Sequence, residues 1–472
     1  MSGLNFLSIT EITAGLRAGQ FQIIDIVQAH LNNIARLAPQ LNAFTHLDES
    51  GAAAQALKAD TARRAGEAVG PLHGVPVTVK SCIDVAGWPC PAGSQLRRDN
   101  VPTADARLVS RLKSAGATLL GNTNTPENLM HYETDNALRG RESNRTSNPW
   151  NVAHSAGGSS GGEAAAIAAG CSVAGIGSDG GGSIRVPAHF CGICGLKPTP
   201  GRIPGTGHFP PSAGAFPWLG VVGPMARTVA DVRAMFEVLR GPDAGDTLSS
   251  PVVPSVFRSA DLHGMRIGLL ENSGLGAHTP ETNAALQKAA GLLAPRGFNV
   301  EPFQLSELSR ALELWWFFFG PMIAHLFRAG IGAREEPQLS AQFREYLAVA
   351  GADPVPTVDD LLGTCSERDR LRTDILRKMR DVPVLLSPVS SAPAFRHGEG
   401  TWRGATGYRE TMRASQWLNL LGFPAISVPM AFSAAGLPIG VQLIGRPYEE
   451  ELLLEIASIL EEERGGWPAP KI

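Results

Sequence analysis

The sequence predicts an α/β fold in which a β-sheet is covered by helices on both faces, and three observations point to it. Segments with apolar residues at helical spacing take turns along the chain with short β-branched segments. Of the 472 residues, 43% are hydrophobic, enough for one large core. No Gly/Ser or Pro linker divides the chain and no repeat of about 20–50 residues recurs, so residues 1–472 read as a single domain rather than a repeat array.

Taken in order, "SITEITAGLRAG" and "FQIIDIVQAHLNNIARL" carry apolar residues on one helical face, and Gly19 separates them. A third helix is expected over "GAAAQALKADTARRAG". "GVPVTVK" alternates β-branched residues and closes on Lys80, which predicts a strand ending in a lysine. "DARLVSRLKSAGA" is helical up to Gly116, and "TLLGNTN" is strand and loop. The alanine run after Gly162 is helix, "CSVAGIG" strand, and "SIRVPAHFCG" a short helix or turn. "GMRIGLLEN", "TPETNAALQKAAGLLAPRG" with Pro280 near its start, and "VPVLLSPV" continue the alternation. "FPAISVPM" and "PIGVQLIG" supply two more strands and "EEELLLEIASILEEE" a closing helix. Residues from about 305 to 375 are helical and placed to cap one end of the sheet.

Composition narrows the partners. With 41 basic and 44 acidic residues and a net charge of −3, the chain concentrates no field for nucleic acid or an acidic membrane, so a small-molecule partner is expected. The start, "MSGLNFLSITEI", lacks a basic region followed by an apolar run, which favours the cytoplasm. "LELWWFFFGPMIAHLF" is too short to span a bilayer and is interrupted by Gly320-Pro321, so no stable membrane insertion is expected. Six cysteines in a chain this long read as reduced thiols, and Cys191 and Cys194 have no second ligand pair for zinc. No metal is expected.

Several motifs compete for chemistry. Gly158 to Gly162 satisfies G-x-S-x-G, but the polar, Pro149-containing stretch before it cannot serve as the central strand that a nucleophile elbow needs. Gly175 to Gly180 satisfies G-x-G-x-x-G, yet Pro187 shortens the following helix and no acid stands at the required distance. Ser110 to Lys113 fits S-x-x-K inside an amphipathic helix, without a K-T-G partner. His154, His189 and His208 read as surface or capping residues rather than as a base for serine. Lys80 remains: an enclosed amine of lowered pKa, or a strand-end lysine reaching solvent or Asp84.

"GVPVTVK", "GGSSGG" at 157–162 and "GSDGGGSIRVPAHFCGICGLKPT" at 177–199 together resemble the amidase signature family. "NTNTPEN", "SNPWN", "GVVGPMARTVADV" and "GLPIGVQLIG" extend the likeness over most of the chain, with fatty amide hydrolases and bacterial acylamidases looking nearest. The resemblance implies a single large domain around a mixed, twisted sheet, with a signature core at about 70–240. It implies a hydrolase of linear acyl amides that forms a serine acyl-enzyme and needs no cofactor. By motif position Ser183 is the nucleophile, Ser159 the bridging serine on a cis peptide and Lys80 the base. Gly180, Gly181 and Gly182, with the Ser183 N–H, are the implied oxyanion donors; Ser160, Asp179 and Arg185 support the triad. Gly180 departs from the commoner threonine or branched residue. "PENLMHY" aligns with a pocket-lining stretch, so Leu129, Met130 and Tyr132 are expected to contact substrate, and the aromatic run 315–319 is expected to form an access channel. The glutaminase subunit of a tRNA-dependent amidotransferase shares the signature and is the alternative. Oligomeric state is open, and a homodimer is compatible with the sequence.

Overall fold

A computed structural model describes residues 3–67, 69–138, 143–211, 216–257, 259–271, 274–332 and 335–472. Its strands are, in chain order, β1 Phe44–Leu47, β2 Pro76–Lys80, β3 Thr118–Thr123, β4 Ser147–Asn148, β5 Asn151–Ser155, β6 Ala174–Asp179, β7 Cys194–Lys197, β8 Val221–Ala226, β9 Arg266–Leu269, β10 Asn299–Pro302, β11 Val384–Pro388, β12 Ala425–Phe432 and β13 Pro438–Gly445. Eleven of them form one sheet in the order β1-β3-β2-β6-β8-β7-β12-β13-β11-β9-β10. The pairing is mixed: β2 runs parallel to β3 and β6, whereas β8 is antiparallel to β6 and β7. The polar stretch before the GGSSGG block forms only the small β4-β5 hairpin, away from the main sheet.

Helices lie where the periodicity places them. Ile9–Arg17 starts from a Ser8–Glu11 capping box. Pro280–Leu293 begins with Pro280 in its first turn behind a Thr279 cap, so the missing N–H is one that has no helical partner anyway. Gly161–Ala168, the alanine-rich helix, is buried along its whole length, Glu163 and Ile167 included.

Two apolar clusters organise the interior. One packs helices against the central sheet and includes Val77, Val79, Ile176 and Ile184. The other gathers the 305–379 helices, with Trp315, Trp316, Phe318 and Phe319, against Tyr132, Val186, Phe190, Trp402 and Trp417. The site lies where these clusters meet. No helix among the described residues is long and apolar enough to cross a membrane.

Candidate active site

Parallel pairing puts the C-terminal ends of β2 and β6 side by side, the end at which α/β sheets hold ligands. Lys80 closes β2 and is fully buried, so neither solvent nor Asp84 receives its amine. Its Nζ instead lies 2.6 Å from Ser159 Oγ, 3.0 Å from Ser160 Oγ and 3.1 Å from Ser178 Oγ. Burial pushes the Lys80 amine down to about 8 against the opposing pull of Cys82, Asp179 and Glu163. Burial also pushes the Cys82 thiol up, which weakens its part in that opposing pull near neutral pH.

The hydrogen bonds narrow which of these hydroxyls has a proton to offer the amine. Ser160 donates its own O–H to the Ser178 carbonyl at 3.3 Å, so toward Lys80 it only accepts. A neutral amine has two N–H bonds and one lone pair. Ser160 thus takes one N–H bond, and Ser159, at the shortest distance, and Ser178 are the two hydroxyls that have a proton to offer the amine.

The Gly158-Ser159 peptide is cis, and the helix Gly161–Ala168 starts directly behind it. Ser160 N–H donates to the Ser183 carbonyl at 3.1 Å, which ties the two serine segments together. Ser183 is partly exposed and lines a narrow slot of about 20 Å³ together with Leu129, Met130, Ser159, Ser178, His208 and Phe319. Its hydroxyl makes no hydrogen bond among the described residues.

The loop from 180 to 184 is held by a buried ion pair. Arg185 grips Asp179 through Nε–Oδ2 and Nη2–Oδ1 contacts of 3.0 Å each, and both side chains are fully buried. Burial alone would raise the Asp179 carboxyl, but the guanidinium holds it well below the usual carboxylate range. The same carboxylate accepts the N–H groups of Gly182 at 2.6 Å and Ile184 at 3.1 Å. Arg185 spends its other N–H bonds on the Ser415 carbonyl, Asn419 and Gln442. The pair is therefore structural and site-forming at once, because the acid that neutralises the arginine also folds the loop.

Some expectations need correcting. The Gly182 N–H is already donated to Asp179, so it does not face the slot as an oxyanion donor; the N–H groups of Gly180, Gly181 and Ser183 have no acceptor among the described residues. Leu129 and Met130 line the slot, but Tyr132 does not: its hydroxyl donates to the Gly181 carbonyl at 2.5 Å behind the loop. Asn128 and Leu129 have φ of 51° and 68°, and this turn separates the two faces of the segment. Of the aromatic run 315–319 only Phe319 reaches the slot, and Trp315, Trp316 and Phe318 are buried in the apolar cluster instead of lining a channel.

Among the histidines, His189 is buried between backbone groups: its Nδ1 accepts from the Gly440 N–H at 2.7 Å, and its Nε2 faces the Ala392 carbonyl. His208 does line the slot, with Nδ1 at 3.0 Å from the Pro210 carbonyl and Nε2 at 3.5 Å from Cys82 Sγ. Burial pushes it down to about 4, and among the described residues no serine hydrogen-bonds to it. Sequence reasoning missed Ser178, two residues beyond Ile176 on β6 and so on the same strand face. It also missed Glu163, which accepts from Thr78 and, at 2.6 Å, from Thr123. Among the described residues no group of three His, Cys, Asp or Glu side chains could hold a metal.

A buried amine turned on a cis-serine, beside a second serine on a glycine loop, is the arrangement that the sequence motifs imply. The profile of the family described as Amidase matches residues 25–454. The chain belongs to the amidase signature family. It is accordingly an amidase, an enzyme of a serine hydrolase class. Its relatives span the family's range. It is 35% identical to a glutamyl-tRNA(Gln) amidotransferase subunit of Synechococcus sp. (strain CC9605), over 95% of this chain and 94% of that protein. It is 34% identical to an "Acylamidase" of Rhodococcus erythropolis, over 98% and 96%. The native peptide amidase of Stenotrophomonas maltophilia superposes with a TM-score of 0.81 at 28% identity, over 99% of this chain and 98% of that one.

Proposed function

We propose that this amidase works as a single chain and hydrolyses linear acyl amides to a carboxylate and an amine or ammonia. Apolar acyl or aryl amides are the preferred class, with esters and carbamates as further substrates. The observation that carries the reading is the buried Lys80 amine 2.6 Å from Ser159 Oγ, with Ser160 committed as an acceptor.

Ser183 Oγ attacks the amide carbon as its proton passes to Ser159 Oγ, and the Ser159 proton passes to Lys80 Nζ. The carbonyl electron pair moves onto oxygen, facing the N–H groups of Gly181 and Ser183, with Gly180 beside them. Collapse breaks the C–N bond, and the departing nitrogen takes the proton back from Lys80 Nζ through the Ser159 hydroxyl alone, since Ser183 Oγ is now the acyl-ester oxygen. Water then attacks the ester carbon, giving its proton to Ser159 as Ser159 gives its own to Lys80, and collapse breaks the bond to Ser183 Oγ, which is reprotonated by the same route as the acid leaves. Leu129, Met130 and Phe319 give the acyl side of the slot an apolar wall. The helical segment 305–375 closes over this end of the sheet as a cap. Six cysteines without disulfides, five of them buried, suit a cytoplasmic location.

The test is turnover of acetamide, hexanamide, benzamide and a nitroanilide by the purified chain, with Ser183→Ala as the blank. Hydrolysis of hexanamide or benzamide above acetamide supports the reading, and a preference for acetamide sinks the apolar part of it. The second reading, the glutaminase subunit of a tRNA-dependent amidotransferase, is favoured by the 35% identity to the Synechococcus protein. Glutamine hydrolysis that appears only with added partner subunits, and no turnover of the simple amides, would establish that reading instead.

A further inference from the structure

Resting on the amidase reading above, we propose that Trp315 and Tyr132 are positioning residues that aim the oxyanion donor of the glycine loop. Trp315 Nε1 donates to the Gly180 carbonyl at 3.0 Å, and the Tyr132 hydroxyl donates to the Gly181 carbonyl at 2.5 Å. In a trans peptide the C=O and the N–H that follows it point in opposite directions. Holding these two carbonyls therefore sets where the N–H groups of Gly181 and Gly182 point. The Gly181–Gly182 peptide is pinned at both ends, since the Gly182 N–H goes to Asp179 Oδ1 at 2.6 Å. Among the described residues the Gly180–Gly181 peptide is pinned only at its carbonyl, by Trp315. Its N–H is the one directed away from the indole and left for an incoming oxyanion beside Ser183.

Such clamps are needed because of what the loop is made of. Three consecutive glycines have no side chains to restrict φ and ψ, so the run by itself holds no donor in place. An oxyanion donor is effective when it is oriented before charge develops. Both clamps donate to the loop: an indole N–H can only donate, and the Tyr132 hydroxyl, which accepts from Gln416 Nε2 at 3.4 Å, keeps its own proton for the Gly181 carbonyl because burial pushes the phenol well above its ordinary value. Both are rigidly held, Trp315 stacked on Phe319 at 4.6 Å and Tyr132 packed 5.0 Å from Tyr408. The loop also lies flush on them. A Cβ at Gly181 would fall 2.6 Å from Trp315 Cζ2 and 2.9 Å from the Tyr132 hydroxyl, whereas one at Gly180 would meet only Phe319, at 3.6 Å.

Trp315→Phe keeps a ring against Phe319 and deletes the donor, and Tyr132→Phe deletes only the hydroxyl. With hexanamide as substrate, each variant is expected to lose about tenfold in kcat, with KM changed less than about twofold. Inhibition by a trifluoromethyl ketone, whose serine adduct carries the oxyanion, is expected to weaken in step with kcat/KM. Binding of the ground-state amide to the same variants in a Ser183→Ala background should not change, a split that a general loosening of the fold would not produce. Wild-type kcat in both variants, or equal losses in ground-state binding and ketone inhibition, would overturn the clamp. Ser183→Ala read alongside separates the two ideas: hexanamide hydrolysis that survives that substitution refutes the proposed function, whereas full activity of both clamp variants beside an inactive Ser183→Ala refutes only this inference.

Discussion

Two lysines close strands of the same sheet, and their surroundings differ in the one respect that the proposed base requires. Lys80 ends β2 and Lys197 ends β7, and both are fully buried. Burial pushes Lys80 down to about 8; it pushes Lys197 down to about 7, helped by the nearby positive charge of Arg185. By pKa alone Lys197 is the better candidate. Its Nζ, however, donates to the Pro198 carbonyl at 3.0 Å, a group with no proton to give, while Lys80 meets three hydroxyls. Desolvation makes the amine easier to deprotonate at both places, and only Lys80 has hydroxyls beside it through which the proposed relay could run.

The sharpest way to break this comparison is to remove each end of the proposed relay. Ser183→Ala and Lys80→Met should each lower kcat/KM for hexanamide by about a thousandfold or more. Lys197→Met should leave it within about twofold. Comparable losses at the two lysines would mean that burial, not the serine neighbours, had been the relevant property.

A stability measurement separates the pair differently. Between about pH 7 and its unfolded value of 10.5, Lys197 binds fewer protons folded than unfolded. Stability therefore rises with pH across that window. Lys197→Met should flatten this rise in denaturant titrations, and an unchanged pH slope would show that the amine is not held neutral. Asp179→Asn strands the Arg185 guanidinium in the interior and should cost about 3 kcal/mol, read as a lower denaturation midpoint.

The smallest expected effect concerns neighbouring glycines. Gly180→Ala has room beside Phe319 and should keep activity within about threefold, whereas Gly181→Ala pushes into Trp315 and Tyr132 and should lose more than about tenfold. Equal effects at the two positions would show that the loop is not seated as described.

Much of this is legible in the sequence, for identifiable reasons. β13 falls on "PIGVQLIG" itself and β2 within "GVPVTVK", because alternation of β-branched residues bounded by glycine is a local signal. β7 and β8 carry no such signal. "CGLK" is short and poor in β-branched residues, and Pro224 inside "VVGPMA" argues against a paired strand, although it sits opposite Ile176 in the register with β6. The placement of Ser159 and Ser183 rests on motif likeness, since spacing does not choose among the serines. Tyr132 is expected in the pocket because "PENLMHY" aligns with a pocket-lining stretch of the family, and the left-handed turn at 128–129 sends it to the other face. No pattern in the sequence pairs Trp315 with a carbonyl 135 residues away; that contact exists only once the 305–379 helices pack on the glycine loop.

The most direct test is the pH dependence of kcat/KM for hexanamide. A neutral Lys80 acting through Ser159 predicts a rise with increasing pH, half complete near pH 8, that Lys80→Met abolishes and Lys197→Met leaves in place. A profile already at its plateau at pH 6, or one that falls through pH 8, would contradict it.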